Sequence, residues 1–254
     1  TTSSAPTRAA AHGPWARPSL FCVSVVRTSG YEPGLVRVQL EKRASIFGCD
    51  EFAVVSSKSI KLGPGDAGPV RTIASPASDV EIGSLQAGQT TDSWLNTLIF
   101  IRLWRVIGKD GRFRRHDWTV KVDPDAVFFP DRLQRYLRPL ERLGPSGTYL
   151  LNCNRYVGKP RLYGSLEVFS RAAMESYLAN EGKCMKQLQW QGWGEDSFMQ
   201  RCMDFIGVRN VTEFRILGDQ RCVAAPCTDW RKAVFHPFKD IRTYFDCWGQ
   251  ATGL

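Results

Sequence analysis

Trp118-Thr-Val-Lys-Val-Asp-Pro-Asp-Ala-Val-Phe-Phe-Pro130 decides how this chain is read. Trp118 to Val122 is a short β-branched run that stops at two carboxylates one residue apart, Asp123 and Asp125. A second apolar run follows, and Pro130 is placed to open a helix. Strands buried on both faces read as apolar runs of this kind, and α/β sheets bind ligands in the crevice beyond the strands' carboxyl ends. Acids at i and i+2 on an extended chain can share one divalent cation, which in turn can neutralise a diphosphate. Asp-Pro-Asp is also good turn chemistry, and alone the pair would more often simply close a strand.

Working outward, Leu20–Val26 is an apolar β run followed by the turn-like Thr28-Ser-Gly30. Pro33 then opens a helix with Val36, Leu40, Ala44 and Phe47 on one face and Gly48 at its end; a strand at Glu51–Val55 completes a βαβ unit. Residues 57–90, rich in Gly, Pro, Ser and Ala, read as a long loop excursion at the active-site edge. Thr91 or Asp92 is expected to cap a helix to about Ile107, stopped by Gly108. Beyond the acidic pair come a helix near Asp131–Leu143 kinked by Pro139, strands at Thr148–Asn152 and Leu162–Phe169, and a helix from Ser170 to Asn180. A helix opened by Gly194-Glu-Asp196 carries Phe198, Met199, Cys202 and Phe205 at core spacing, and Val211–Ile216 is a late strand. The pattern predicts an α/β chain with a mixed sheet flanked by helices. Residues 1–19 read as an extended tail of the kind left when a targeting or anchoring segment is removed. Residues 20–254 then form a single domain whose end, 218–254, is a Cys- and aromatic-rich tail.

A chain of 254 residues is long enough to bury roughly three quarters of its unfolded surface without help from disulfides. The formal charge of +9 points to an anionic partner such as a nucleotide, an acidic glycan, or an anionic membrane or protein surface. No nucleic-acid-binding signature accompanies it, which argues against DNA or RNA. No apolar stretch is long enough to form a transmembrane segment. The eight cysteines form an even set without C-x-x-C spacing, which hints at an oxidising compartment. Cys22, near the first strand, and Cys49, just before the second, are a candidate pair, since neighbouring strands can bring their α-carbons within bridging distance. Cys222, Cys227 and Cys247 are expected to be tied among themselves or to Cys184. Asn210-Val-Thr212 has the form of a glycosylation acceptor.

The order of these features resembles the GT-A glycosyltransferase fold, from Leu20 to about Lys239. The D-x-D pair of that family would be Asp123 and Asp125, contacting the ribose and a Mn2+ or Mg2+ ion on the diphosphate of a nucleotide-sugar. Lys121 sits where related β-glycosyltransferases often place a lysine. The glycine-bearing strand that approaches the sugar looks like Tyr163-Gly164-Ser165. The x-E-D helix start, whose acid is the catalytic base of inverting members, looks like Gly194-Glu195-Asp196. The late metal-ligating histidine looks like His236 in Phe235-His-Pro-Phe-Lys239. Trp193, Gly164, Ser165, Lys121 and Lys239 are then candidate substrate contacts. A cation offsets charge on the leaving phosphate, a carboxylate removes the acceptor proton, and the helix dipole is expected to keep Asp196 anionic. Histidine with carboxylates is a credible donor set for Mn2+. Pro124, between the acids, is a departure from the family's pattern: it removes a backbone donor and stiffens the turn but leaves both carboxylates free.

Phe21-Cys-Val-Ser-Val, Cys49-Asp-Glu-Phe-Ala-Val and His116-Asp-Trp-Thr-Val-Lys-Val-Asp-Pro-Asp also resemble uncharacterised glycosyltransferase-like proteins of dinoflagellate algae. The resemblance implies a metal-dependent hexosyltransferase-like enzyme moving sugar from a nucleotide-sugar donor to a glycan or protein acceptor in the Golgi lumen of the secretory pathway. The competing expectation is a non-catalytic accessory subunit with protein partners in a larger complex, such as a photosynthetic membrane complex on its thylakoid-lumen side.

Overall fold

The computed structural model describes residues 17–76, 81–84, 86–89, 91, 93–142, 147–155 and 159–253. Most of the tail expected over 1–19, and Asp92 as a helix cap, lie outside them.

The central sheet is built from β1 (Leu20–Val25), β2 (Glu51–Ser56), β5 (Ile73–Ala74), β6 (Trp118–Val122), β8 (Thr148–Leu151), β9 (Leu166–Ser170) and β10 (Arg209–Thr212). Its seven strands run in the order β10-β8-β9-β6-β1-β2-β5. All pairings are parallel except those of β9, which is antiparallel to both β6 and β8. β3 (Lys61–Gly63) and β4 (Val70–Arg71) form a small ribbon within the 57–90 excursion. β7 (Val127–Phe128), β11 (Leu217–Asp219) and β12 (Val234–His236) make a separate three-stranded sheet. The chain therefore has the mixed α/β architecture, a mixed sheet flanked by helices, expected from its sequence.

Strand alternation divides the core. Phe21, Val23, Tyr149 and Phe169 face α2 (Thr97–Asp110), α4 (Arg171–Gln187) and α5 (Glu195–Phe205), where Trp104, Tyr177, Phe198 and Met203 are buried. Leu20, Cys22, Val120 and Val168 face the opposite way, toward Val36 of α1 (Glu32–Glu41), Leu133 and Leu137 of α3 (Pro130–Leu137), and Leu217 and Val234 of the small sheet. A third cluster joins Leu35, Phe129 and Phe235 to Tyr244 and Cys247 of α6 (Ile241–Thr252).

Several boundaries differ from expectation, each for a local reason. α1 stops at Glu41 because Arg43 and Ser45 take positive φ values of 49° and 56°, leaving Ala44 and Phe47 beyond the helix. α2 begins after Asn96 and runs through Gly108 to Gly111, whose φ of 76° closes it. α3 ends at Leu137, two residues before Pro139, and tightens into a 3₁₀ turn. Ser170 caps α4 by accepting from the Ala173 amide, and the helix continues past Asn180 to Gln187. Tyr163, Gly164 and Ser165 lie before β9, so the glycine sits in a turn and not in the strand.

All eight cysteines are paired: Cys22–Cys49, Cys153–Cys222, Cys184–Cys202 and Cys227–Cys247. The first pair is the expected one, and Cys227–Cys247 lies within the expected C-terminal group. Cys222 instead pairs with Cys153, and Cys184 with Cys202, which joins α4 to α5. Four disulfides fit an oxidising compartment. Among the described residues no helix is long and apolar enough to cross a membrane.

Candidate active site

β6 delivers Asp123 and Asp125 at its carboxyl end, where the chain turns: the Ala126 amide donates to the Asp123 carbonyl at 3.1 Å. β7 then pairs antiparallel with β12 in the register Phe235↔Val127, and the Phe238 amide donates to the Asp125 carbonyl at 2.8 Å. That register sets His236 against the acidic turn although more than a hundred residues separate them. One ligand atom each from Asp123, Asp125 and His236 lies within 4.8 Å of the others. The His236 Nε2 stands 3.5 Å from Asp125 Oδ1.

The parallel pairing of β11 with β12 places Asp219 beside His236, and their Oδ2 and Nδ1 are 2.5 Å apart. Burial alone would lower the His236 pKa, but hydrogen bonds to Asp125 and Asp219 raise it to about 9. Burial likewise works against the Asp125 anion, yet the His236 contact and the Tyr31 hydroxyl, donating to Oδ2 at 3.1 Å, hold its pKa below the ordinary value. These residues fit a divalent cation. Asp219 fixes the imidazole through Nδ1 while Nε2 faces Asp125, the carboxylate–histidine arrangement that orients metal ligands.

Lys121 joins this cluster to the start of α5. Its side chain points to the α2/α4/α5 face and is 1% exposed. The ammonium lies 2.8 Å from Asp123 Oδ1, 2.6 Å from Glu195 Oε1 and 2.6 Å from the Gly164 carbonyl, which uses its three donors. Glu167, its cross-strand neighbour on β9, is 3.4 Å away and fully buried. Burial opposes the Lys121 charge, but the carboxylates of Asp123, Glu195 and Glu167 hold its pKa well above normal. Burial and the facing Glu167 push the Glu195 pKa well up, against the pull of Lys121.

Asp196, half-buried in the first turn of α5, is the more available acid. Burial and the neighbouring Glu195 raise its pKa to about 6, against the pull of the Ser197 and Gly164 amides and Lys121. Its environment therefore outweighs the helix dipole. A Cβ on Gly164 would come within 2.9 Å of Glu195 Oε1, so this turn is glycine because it closes on the acidic helix start.

The structure thus groups Asp123, Asp125 and His236, and next to them Lys121, Gly164, Glu195 and Asp196. Ser165 is buried, with its carbonyl accepting from the Asp123 amide at 3.2 Å. Trp193 lies just before the helix with its ring 4.2 Å from the Arg201 guanidinium, and Lys239 is exposed three residues after His236. Asp219, Glu167 and Tyr31 were not legible as site residues. Only Asp219, an acid ending a short apolar run, carried any signal. A cavity of about 360 Å³ opens beside His236, lined by Asp219, Gln220, Phe235, Pro237 and Phe238 among others.

No family model matches this chain, and no curated protein matches it. Among solved structures it is similar to a glycosyltransferase involved in the glycosylation of the major capsid of PBCV-1, with 12% identity over 86% of this chain and 93% of that one and a TM-score of 0.47. It is also similar to a protein from Bacillus anthracis assigned as a glucose-1-phosphate thymidylyltransferase and crystallised with sucrose. That match has 10% identity over 77% of this chain and 87% of that one, with a TM-score of 0.39.

Proposed function

We propose that the protein is a metal-dependent glycosyltransferase that moves a sugar from a nucleoside-diphosphate donor to an acceptor hydroxyl. The observation that carries the reading is the convergence of Asp123, Asp125 and His236 at the carboxyl end of the central sheet, backed by Asp219. Asp123, Asp125 and the Nε2 of His236 would hold Mn2+ or Mg2+, which when bound offsets charge on the diphosphate. Asp125 and His236 lose their mutual contact to do so, while Asp219 and Tyr31 keep their orientation.

Asp196 takes the proton from the acceptor hydroxyl as its oxygen bonds to the sugar's anomeric carbon and the nucleoside diphosphate leaves. Glu195, buried and tied to Lys121, fixes the helix start and is not itself the base. Lys121 acts through Asp123 and Glu195, with no donor left for substrate. Ser165, Gly164, Trp193 and Lys239 border the donor and acceptor space. Residues 20–254 work as one domain, in an oxidising lumen such as that of the Golgi.

Calorimetric titration with UDP or GDP, with and without Mn2+, tests the reading. Nucleotide should bind only when the metal is present. Flat titrations with every common nucleoside diphosphate would overturn the enzyme and leave an accessory subunit on a transferase fold.

A further inference from the structure

We infer that Asn210 is an N-glycosylation site whose glycan shields the free edge of the central sheet. Asn210-Val-Thr212 is the sole Asn-Xaa-Ser/Thr sequence in the chain. It lies on β10, the terminal strand of the seven, which among the described residues pairs only with β8. Asn210 and Thr212 are both exposed.

Two features around the site call for cover. An end strand presents unpaired backbone groups, which invite a second chain unless they are blunted. The opposite end of this sheet is only the two-residue β5, whereas β10 has four residues. Asn210 Nδ2 also donates to Asp204 Oδ1 at 3.3 Å, and the next residue of α5, Phe205, is 50% exposed. A bulky polar substituent on Asn210 therefore stands over both an open strand edge and an exposed aromatic ring. The four disulfides fit the compartment in which such transfer occurs.

The chemistry needs a lipid-linked diphospho-oligosaccharide and the host's transferase. The Asn210 amide nitrogen bonds to the anomeric carbon as the carbon–oxygen bond to the diphosphate breaks. The amide gives up one proton and the lipid diphosphate leaves. One N–H remains to donate to Asp204.

The inference stands apart from the transferase reading, and its test does not use activity. The chain is directed into the secretory pathway of a eukaryotic cell, recovered from medium and lysate, and weighed intact before and after amide-linked deglycosylation. One glycan should be present and released by that treatment. Asn210→Gln and Thr212→Ala should lack it, and Thr212→Ser should keep it. In sedimentation, the bare protein should self-associate more than the glycosylated form, and Phe205→Ser should reduce that association. A wild-type mass equal to the bare polypeptide would overturn the site. Equal sedimentation of the two forms would overturn the shielding role.

Discussion

Lys121 sits where a strand buried on both faces ordinarily carries valine or isoleucine, and the reason lies in the acids around it. Removing one partner of a buried ionic group leaves its counter-charges without compensation, at a cost of about 3–5 kcal/mol. Lys121→Met keeps the side chain's length but leaves Asp123, Glu195 and Glu167 without their cation. The variant should melt well below wild type in calorimetry; an unchanged melting temperature would show that the cluster is not held by this ammonium. Asp196 makes a separate prediction. As a base it must be ionised, and its pKa is raised to about 6. Transferase activity should therefore rise about tenfold per pH unit below 6 and level off above it. Asp196→Asn should lower turnover by about 10²–10⁴-fold with near-normal donor binding, and should erase that rising limb. A limb that survives in the variant assigns the titration to another group.

At the scale of elements, the strand ending in Asp123 was legible because burial on both faces writes a continuous apolar run. The helix starting at Glu195 was legible from its acids and core spacing. What joins them was not. The pairing of Asp219 with His236 follows from two short strands lying parallel, and Glu167 faces Lys121 only through the register of β9 on β6. Such contacts leave no mark in local periodicity. Helix ends depart from the side-chain pattern where backbone conformation overrides it, as at Arg43 and Ser45. The Cys153–Cys222 bridge belongs to the same scale. It spans 69 residues and clamps the turn after β11, where the Cys222 amide donates to the Asp219 carbonyl at 3.0 Å. Chain entropy for a loop of that length gives roughly 4 kcal/mol. Replacing both cysteines with serine should lower the melting temperature. It should also weaken Mn2+ binding, because Asp219 loses the anchor from which it orients His236. Destabilisation with unaltered metal affinity would separate the bridge from the site.

Across the whole molecule, the acidic turn, the His236 strand and the start of α5 come from three distant parts of the chain, held in one place by the sheet and the disulfides. The fold class could be read from the sequence because it needs only element types in order. The site could be read as a set of residues, but its geometry depends on packing between them. A ligand that bridges those parts should stabilise the whole domain by mass action. At a hundred times its dissociation constant the gain is about 2.7 kcal/mol, which for a domain of this size is roughly 5–10 °C in melting temperature. UDP or GDP with Mn2+ should produce that shift, while the nucleotide alone should produce little, since its diphosphate would meet Asp123 and Asp125 without a cation between them. The ion alone should give a smaller rise, opposed by the proton that His236 must release. Asp125→Ala should abolish the joint effect, because it removes a ligand and the group that Tyr31 and His236 both hold. A full shift in that variant would place nucleotide binding elsewhere on the molecule and detach it from the Asp-Asp-His cluster.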